Sequence, residues 1–356
     1  MASTHTLIVE PADDRPPVLN ALNAAKKSID LTIYEISDPQ IMSALESAHQ
    51  KRNVVVRVLY NWDSFTPRMR ETDIRPAIQE LTEAGIQCHP APPTFEVTHE
   101  KAFVIDRATG IVMSFNLTKD YFGSTRDFGI ITTVPTEVAE IEAVFQADWS
   151  GTAVTPSEPS MVWSPNNSRD RLMSLITGAQ STLDIYCEEA EDPGTLGAMV
   201  AAAKRGVKVR FIAAVLSGEG KVNGNARGVT TLLAGGVQAV CKNFLYIHAK
   251  MALADYDKSN AQAYIGSVNF SCTSLNKNRE CGIIVSEPAI LDSLNTTYTS
   301  DWAQPSVTVT PDTTPLTPCS GGAAPPSKPG KPAKPTPQPE PAKAKPGTTA
   351  SKSKQR

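Results

Sequence analysis

No run in this chain approaches the roughly 18 to 20 apolar residues that a membrane-spanning helix needs. The first residues, Met1 to Thr6, lack the charged and apolar segments of a signal peptide. A chain trimmed of one would begin in the same way, so the reading is exported if trimmed and cytoplasmic otherwise. The six cysteines (Cys88, Cys187, Cys241, Cys272, Cys281, Cys319) form no CxxC pair and no zinc-type spacing, which argues against the common zinc modules. They read as small buried hydrophobes, with one disulfide in an exported protein as the alternative. Aromatic residues make up 6% of the chain and follow no regular series of the kind that stacks nucleic-acid bases. Histidine is scarcer still, five in 356 residues, so a recurring histidine motif carries weight.

What is present is ordinary for a globular protein: 40% hydrophobic and 20% charged residues. The C-terminal end is the exception. From Gln304 onward lie 13 of the 28 prolines, with Lys, Thr and Ser between them and little that is large and apolar. Such a segment buries too little surface to offset its ordering entropy, so residues 304–356 read as a disordered tail of polyproline character. The tail sets eight basic residues against Asp312 and Glu340, a net +6 in a chain of −3, which leaves the body before it near −9. It reads as a solvated spacer or, more sharply, as a contact for an anionic membrane surface or wall polymer.

The body repeats itself. Val9-Glu10-Pro11 answers Trp163-Ser164-Pro165, and Ala25–Asp30 answers Ala179–Asp184. Asp38-Pro39 answers Asp192-Pro193, Lys51–Val58 answers Lys204–Phe211, and Gly85-Ile86-Gln87 answers Gly236-Val237-Gln238. The offset starts at 154, drifts to 149 at two histidines, and settles at 153 from Ser114/Ser267 to Asp148-Trp149 and Asp301-Trp302. Drift confined to a few loop-like places is the mark of duplication. The halves are residues 7–151 and 160–303, joined by a linker at 152–159. Each alternates apolar runs (Ile29–Ile36, Val54–Tyr60, Ala102–Ile105, Gly129–Val134; then Leu183–Cys187, Val207–Val215, Met251–Ala254, Gly282–Val285) with helical patterns such as Ile41–Lys51, Arg75–Ala84 and Glu137–Trp149. The fold class is therefore α/β. The runs are too apolar to be solvated on one side, so helices should cover both faces of each sheet.

Each half carries one constellation. The first is His99-x-Lys101-x4-Asp106, then Ser114-x-Asn116, then Asp127; the second is His248-x-Lys250-x4-Asp255, then Ser267-x-Asn269, then Glu280. Alternation along an extended segment sets His and Lys on one side. An imidazole beside an ammonium suits a phosphodiester: one group attacks or donates a proton, the other holds non-bridging oxygens. Ser114, Asn116, Ser267 and Asn269 would donate further hydrogen bonds to the phosphate. The carboxylate downstream would take the second ring nitrogen of its own half's histidine, Asp127 for His99 and Glu280 for His248. Two such motifs at matched positions arise by chance roughly once in 10⁴.

HxKxxxxD followed by GSxN, present twice, resembles the phospholipase D superfamily, and the resemblance spans roughly residues 7–303. It implies two mixed-sheet halves related by a pseudo-twofold with one active site at their interface. It implies that His99 attacks phosphorus to give a phosphohistidine while His248 protonates the leaving alcohol and then activates water or another alcohol. Lys101 and Lys250 would stabilise charge in place of a metal, so no metal or cofactor is expected. Asp106 and Asp255 would hold backbone. Both motifs lie in one chain, so a monomer suffices for catalysis. Two departures stand out. Met113 replaces the first glycine of the pattern, and Asp127, one methylene shorter than glutamate, predicts a longer contact to His99 than Glu280 makes to His248.

Other residues read less sharply. His49 and His89 are expected on the surface or in loops. Asn61–Arg75 and Leu216–Gly228 either shape the substrate entrance or are plain surface loops. Tyr34, Glu35, Glu188 and Glu189, at the ends of equivalent strands, either line the pocket or pack there. Three functions remain: a phospholipase or phosphatidyltransferase acting on glycerophospholipids, a metal-independent nuclease, or a silent binding scaffold. Intact motifs disfavour the scaffold. The acidic body disfavours the nuclease, which wants a basic track.

Overall fold

In the computed structural model, which describes residues 4–61, 74–216 and 223–319, the repeated runs fold into two sheets of the same strand order. The first half comprises β1 (His5–Glu10), α1 (Pro16–Ala24), β2 (Ser28–Ile33), α2 (Pro39–Arg52), β3 (Val55–Tyr60), α3 (Arg75–Glu83) and β4 (Gln87–Pro90). It continues with β5 (Ala102–Ile105), β6 (Thr109–Met113), α4 (Lys119–Gly123), β7 (Thr125–Thr132) and α5 (Pro135–Ser150). The second comprises β8 (Met161–Ser164), α6 (Ser168–Gly178), β9 (Thr182–Cys187), α7 (Pro193–Lys204), β10 (Lys208–Ala214), α8 (Ala226–Ala234) and β11 (Gln238–Lys242). Then follow β12 (Tyr246–Ile247), β13 (Lys250–Ala254), β14 (Gln262–Gly266), α9 (Cys272–Asn276), β15 (Glu280–Val285) and α10 (Pro288–Ala303). The orders β4-β3-β2-β5-β6-β7-β1 and β11-β10-β9-β13-β14-β15-β8 superpose element on element. Each has a parallel wing of three strands and an antiparallel wing of four.

Local signals fix the elements. Asp38 and Asp192 cap α2 and α7 with a proline in the first turn, Asp38 accepting from the Gln40 and Ile41 amides and Asp192 from that of Thr195. Gly85 and Gly236 turn the chain at φ near +90°, where a side chain would be strained. The outer face of the first sheet is covered by α1, α2 and α3, and that of the second by α6, α7 and α8. The inner faces share a third core with α5 and α10, including Phe128, Ile130, Met251, Ile265 and Tyr298. Thus one face of each sheet is covered partly by its own helix and partly by the other half. Arg57 clamps Asp30 at 2.7 Å and lies over Phe145 and Trp149; Arg210 clamps Asp184 at 2.6 Å and lies over Tyr298 and Trp302. These pairs dock α5 and α10, which accounts for the repeated Asp, Arg and Asp-Trp positions.

Three expectations need correction. The first strand ends at Ile33 rather than Ile36, because Ile36 leaves the sheet to bridge Leu117. β7 begins at Thr125 rather than Gly129, since β1 pairs along its length as far as Asp127 and β12 pairs with Thr125 and Arg126. Residues 304–319 are not a free tail. Val307 bridges Cys241 at the sheet edge, Val307, Val309 and Leu316 pack on the second core, and Cys319 is disulfide-bonded to Cys272. The few apolar residues among these prolines find a ready-made edge and groove, which offsets their ordering cost. Of the other cysteines, Cys187, Cys241 and Cys281 are buried thiols. Residues 320–356 lie outside the described residues.

The disulfide closes a loop across 47 positions, worth about 4 kcal/mol on chain-entropy grounds. Cys319→Ser, or reduction of the intact protein, is expected to lower the thermal midpoint by several degrees. An unchanged melt under reducing conditions would mean the bridge contributes nothing.

Candidate active site

The segments just before the two motifs leave their own sheets and pair with the opposite half. Tyr246 and Ile247 lie parallel to Thr125 and Arg126, and Thr98 makes the equivalent bridge to Arg279. Consequently the His248 amide donates to the Arg126 carbonyl at 3.2 Å, and the His99 amide to the Arg279 carbonyl at 2.9 Å. The next residue beyond each arginine is a carboxylate. It therefore meets the histidine of the other half. His99 Nδ1 lies 3.0 Å from Glu280 Oε2, and His248 Nδ1 lies 2.9 Å from Asp127 Oδ1. The expected pairing within each half is thus reversed, and the shorter aspartate makes no longer contact than the glutamate. The arginines themselves cross the interface in buried bidentate pairs, Arg126 with Asp301 and Arg279 with Asp148.

The two imidazole rings face each other with centroids 6.5 Å apart. That separation, with the ring planes inclined at 63°, sets both imidazoles at one centre. Lys101 Nζ donates to the His99 carbonyl at 2.7 Å and Lys250 Nζ to the His248 carbonyl at 2.5 Å, so both ammonium groups stand at the rings. Asn116 and Asn269 also reach the centre. Each accepts a backbone N–H through Oδ1, from Glu35 and Glu189 respectively, and presents its amide nitrogen to the site. The two serines do not face the phosphate position. Ser114 donates to Asp127 Oδ1 at 2.6 Å, and Ser267 bonds the backbone of Cys281. Asp106 accepts the amides of Lys26, Lys27 and Ser28, and Asp255 those of Gln180, Ser181 and Thr182. Both lie away from the rings.

A cavity of about 590 Å³ opens onto His99. Tyr34, Glu189, Asn269 and Glu280 line it, and so do Leu316–Cys319, the disulfide-held end of the C-terminal segment. His248 is deeper, 2% exposed, behind Glu188, whose carboxylate meets Lys250 Nζ at 2.7 Å. The entrance loops expected at Asn61–Arg75 and Leu216–Gly228 fall largely on residues 62–73 and 217–222, outside the described residues. Of their described ends, Asn61 is buried and accepts the Thr98 amide, while Gly224 and Arg227 reach the cavity wall. His89 stacks on Trp149 at 4.0 Å, and His49 bonds the Val54 carbonyl. The grouping of Asp192 with Cys272 and Cys319 is already spent, the sulfurs on each other and the carboxylate on Arg169.

Burial and the neighbouring Lys101 charge pull the His99 imidazole down to about 4, against the upward pull of Glu280. Glu280 is held below the usual carboxylate range because His99, Lys101 and the Ser274 hydroxyl outweigh its desolvation. Glu10, directly across from Asp127 in the β1–β7 register, is pushed up to about 9 by burial and the Asp127 charge. Several residues here escaped the sequence reading: Ser274 and Asn278 bracing Glu280, and Tyr121 and Tyr246 packed on His248. One signal was available. Tyr121 and Ser274 share a repeat position yet differ, which marks a place where the halves diverge. At Gly266 an added Cβ would stand 2.4 Å from Gly282 Cα, 2.6 Å from the Cys281 carbonyl oxygen and 2.7 Å from the Tyr264 hydroxyl; the first half has Met113 there and Ile111 in place of Tyr264.

Two outcomes follow from the crossed contacts. Asp127→Asn should perturb the ring-nitrogen resonances of His248, and Glu280→Gln those of His99, each with a rate loss of about 10²- to 10⁴-fold. The opposite assignment would restore pairing within each half. If neutral His99 is required, kcat/KM should fall as pH drops through roughly 4 rather than 6.5, because protonation removes the free lone pair. Lys101→Gln should move that limb upward, since it deletes a cause of the depression.

The family described as "Cardiolipin synthase, PLD-like domain" matches residues 18–149 and 172–302, once per half. The human protein named mitochondrial cardiolipin hydrolase is 32% identical over 116 residues, covering 32% of this chain and 42% of that protein. Phosphatidylserine synthase of Haemophilus influenzae superposes with a TM-score of 0.68 at 15% identity, covering 86% of this chain and 88% of its own. Polyphosphate kinase of Porphyromonas gingivalis does so at 0.64 and 16% identity, over 84% of this chain and 50% of its own. At those identities the two structures speak for the fold alone. With both halves matched by one family and both motifs meeting at one centre, the chain belongs to the PLD-like cardiolipin synthase family of the phospholipase D superfamily.

Proposed function

We propose that this protein cleaves or transfers a phosphodiester through a phosphohistidine, acting on glycerophospholipids. The observation that carries the reading is the pair of opposed imidazoles 6.5 Å apart with a lysine beside each. His99 Nδ1–H donates to Glu280, which leaves the Nε2 lone pair free, and its depressed basicity keeps that lone pair available at neutral pH. Nε2 attacks phosphorus, the phosphorus–oxygen bond to the leaving alcohol breaks, and His248 donates the proton that alcohol takes. His248 next removes a proton from water or a second alcohol. That oxygen attacks phosphorus, and the phosphorus–nitrogen bond breaks to free His99. Asp127 orients the His248 ring throughout, while Lys101 and Asn116 hold non-bridging oxygens.

The choice of lipid rests on charge and on kinship. The cavity wall carries Glu189, Glu191 and Glu280 against Arg227 and Lys277, which gives no basic track for a polyanion. The family is named for cardiolipin synthase, and the human relative is named for cardiolipin. No helix among the described residues is long and apolar enough to cross a membrane. The basic residues beyond Lys328 would favour an anionic surface.

His99→Ala and His248→Ala should each reduce turnover of an aryl phosphodiester by about 10³-fold or more, with EDTA without effect. His248→Ala quenched in alkaline denaturant, where a phosphohistidine survives, should retain label from a substrate with a good leaving group, and His99→Ala should not; the reverse pattern would exchange the two roles. Vesicles of phosphatidylcholine or cardiolipin, with and without a primary alcohol, should outrun single-stranded DNA. Turnover of DNA alone would establish the nuclease instead.

A further inference from the structure

The two halves hold their lysine and asparagine in unequal company. Asn116 and Asn269 anchor to the amides of Glu35 and Glu189 in the same way, so the ends of β2 and β9 correspond residue for residue. Glu188 therefore stands where the first half has Tyr34. In the first half, Lys101 Nζ lies 5.0 Å from the centre of the Tyr34 ring, and the Asn116 amide has the Tyr121 hydroxyl beside it rather than a carboxylate. In the second half, one oxygen of Glu188 takes the whole set. Glu188 Oε2 lies 2.7 Å from Lys250 Nζ, 3.3 Å from Asn269 Nδ2 and 3.5 Å from His248 Nε2. Its other oxygen accepts from the Tyr246 hydroxyl at 2.5 Å.

Those three donors are the ones that a phosphate oxygen would use in that half. An internal carboxylate oxygen sits where the substrate's second non-bridging oxygen would be expected. Resting on the phosphodiesterase reading above, we propose that Glu188 is a specificity-determining residue that favours singly charged phosphodiesters over doubly charged phosphomonoesters and inorganic phosphate.

The physical reason is charge counting at short range. A diester brings one negative charge, which Lys101, bonded to the His99 carbonyl and in no ion pair among the described residues, can meet. A monoester at pH 7.5 brings nearly two, and the second must be placed against a fixed carboxylate in a site of low polarity, where like charges repel strongly. Glu188 is ionised as the second charge arrives: its desolvation is outweighed by Lys250 and His248, which hold it well below the usual range. Such a device has a use in this chemistry. Hydrolysis of a phospholipid diester at the head group turns a monoanion into a phosphomonoester, and a site that disfavours the dianion sheds its own product.

The test compares dimethyl phosphate with methyl phosphate and inorganic phosphate by calorimetry or competition at fixed pH 7.5, on the full chain. The wild type should bind dimethyl phosphate at least as tightly as either dianion. Glu188→Gln, which keeps an oxygen for Lys250 to donate to, should tighten the dianions tenfold or more and the diester less than threefold. Equal changes for both charge states, or none, would overturn the proposal, as would a wild type that prefers the dianions. The wild-type ratio decides the matter even should the variant not fold. If no probe binds either protein, the proposal falls as well; turnover of the aryl diester reports separately on whether the site is a phosphodiesterase at all.

Discussion

Everything at the centre of this molecule depends on an exchange of backbone between the halves. The strand-like segments before each HxK leave their own sheets to pair with Arg126 and Arg279, and the side chains of those arginines lock onto Asp301 and Asp148 of the opposite half. A buried bidentate Arg–Asp pair is costly to break from one side, since it strands a charge in the interior. The interface is therefore held by groups adjacent in sequence to the catalytic carboxylates. Interface and active site are one construction. Neither half can present a complete histidine–carboxylate pair by itself, so duplication in one chain supplies what a single half lacks.

On that twofold frame the chain has built an unsymmetrical site. Tyr34 faces Glu188, Tyr121 faces Ser274, Glu10 faces Ser164, and Ile111 with Met113 faces Tyr264 with Gly266 across the repeat. The last exchange is one of packing: the buried Tyr264 lies against both Gly266 and Gly282. The others change charge and hydrogen bonding around the rings. Glu280 is braced by the neutral donors Ser274 and Asn278 and stays ionised, while Asp127 has Ser114 on one side and a buried carboxylic acid across the strand. Such inequality fits the division of roles proposed above, in which one histidine bonds phosphorus and the other moves protons.

Much of this was legible in the sequence, and the limits are instructive. The constant offset exposed the duplication, the strands and helices, and both motifs, because those depend on local pattern and on spacing within each half. Partner choice across the interface was not legible. Asp127 lies 28 positions after His99 and 121 before His248, and proximity along the chain favours the wrong histidine; only the strand exchange brings the distant one near. Ser114 and Ser267 look like phosphate donors by type, but they stand one residue past β6 and β14, and their hydroxyls turn to the carboxylate and the backbone instead. The proline-rich end misled in another way. Composition describes an average, and three apolar residues with one cysteine suffice to dock residues 304–319 on an open sheet edge.

His99 carries the sharpest electrostatic consequence of this arrangement. In the role proposed for it His99 must be unprotonated, yet a phosphate requires nearby cations. Those two demands agree here. Lys101 both attracts the phosphate and disfavours a proton on His99, and burial acts in the same direction, so the ring is neutral over the physiological range without losing orientation from Glu280. Lys101 is itself held below the usual lysine range by burial and by the charge of Lys250. Arrival of an anion would relieve that repulsion and favour the charged form of Lys101. The site thus gains positive potential when phosphate enters and loses some when it leaves, which couples binding to the charge state that stabilises the transition state.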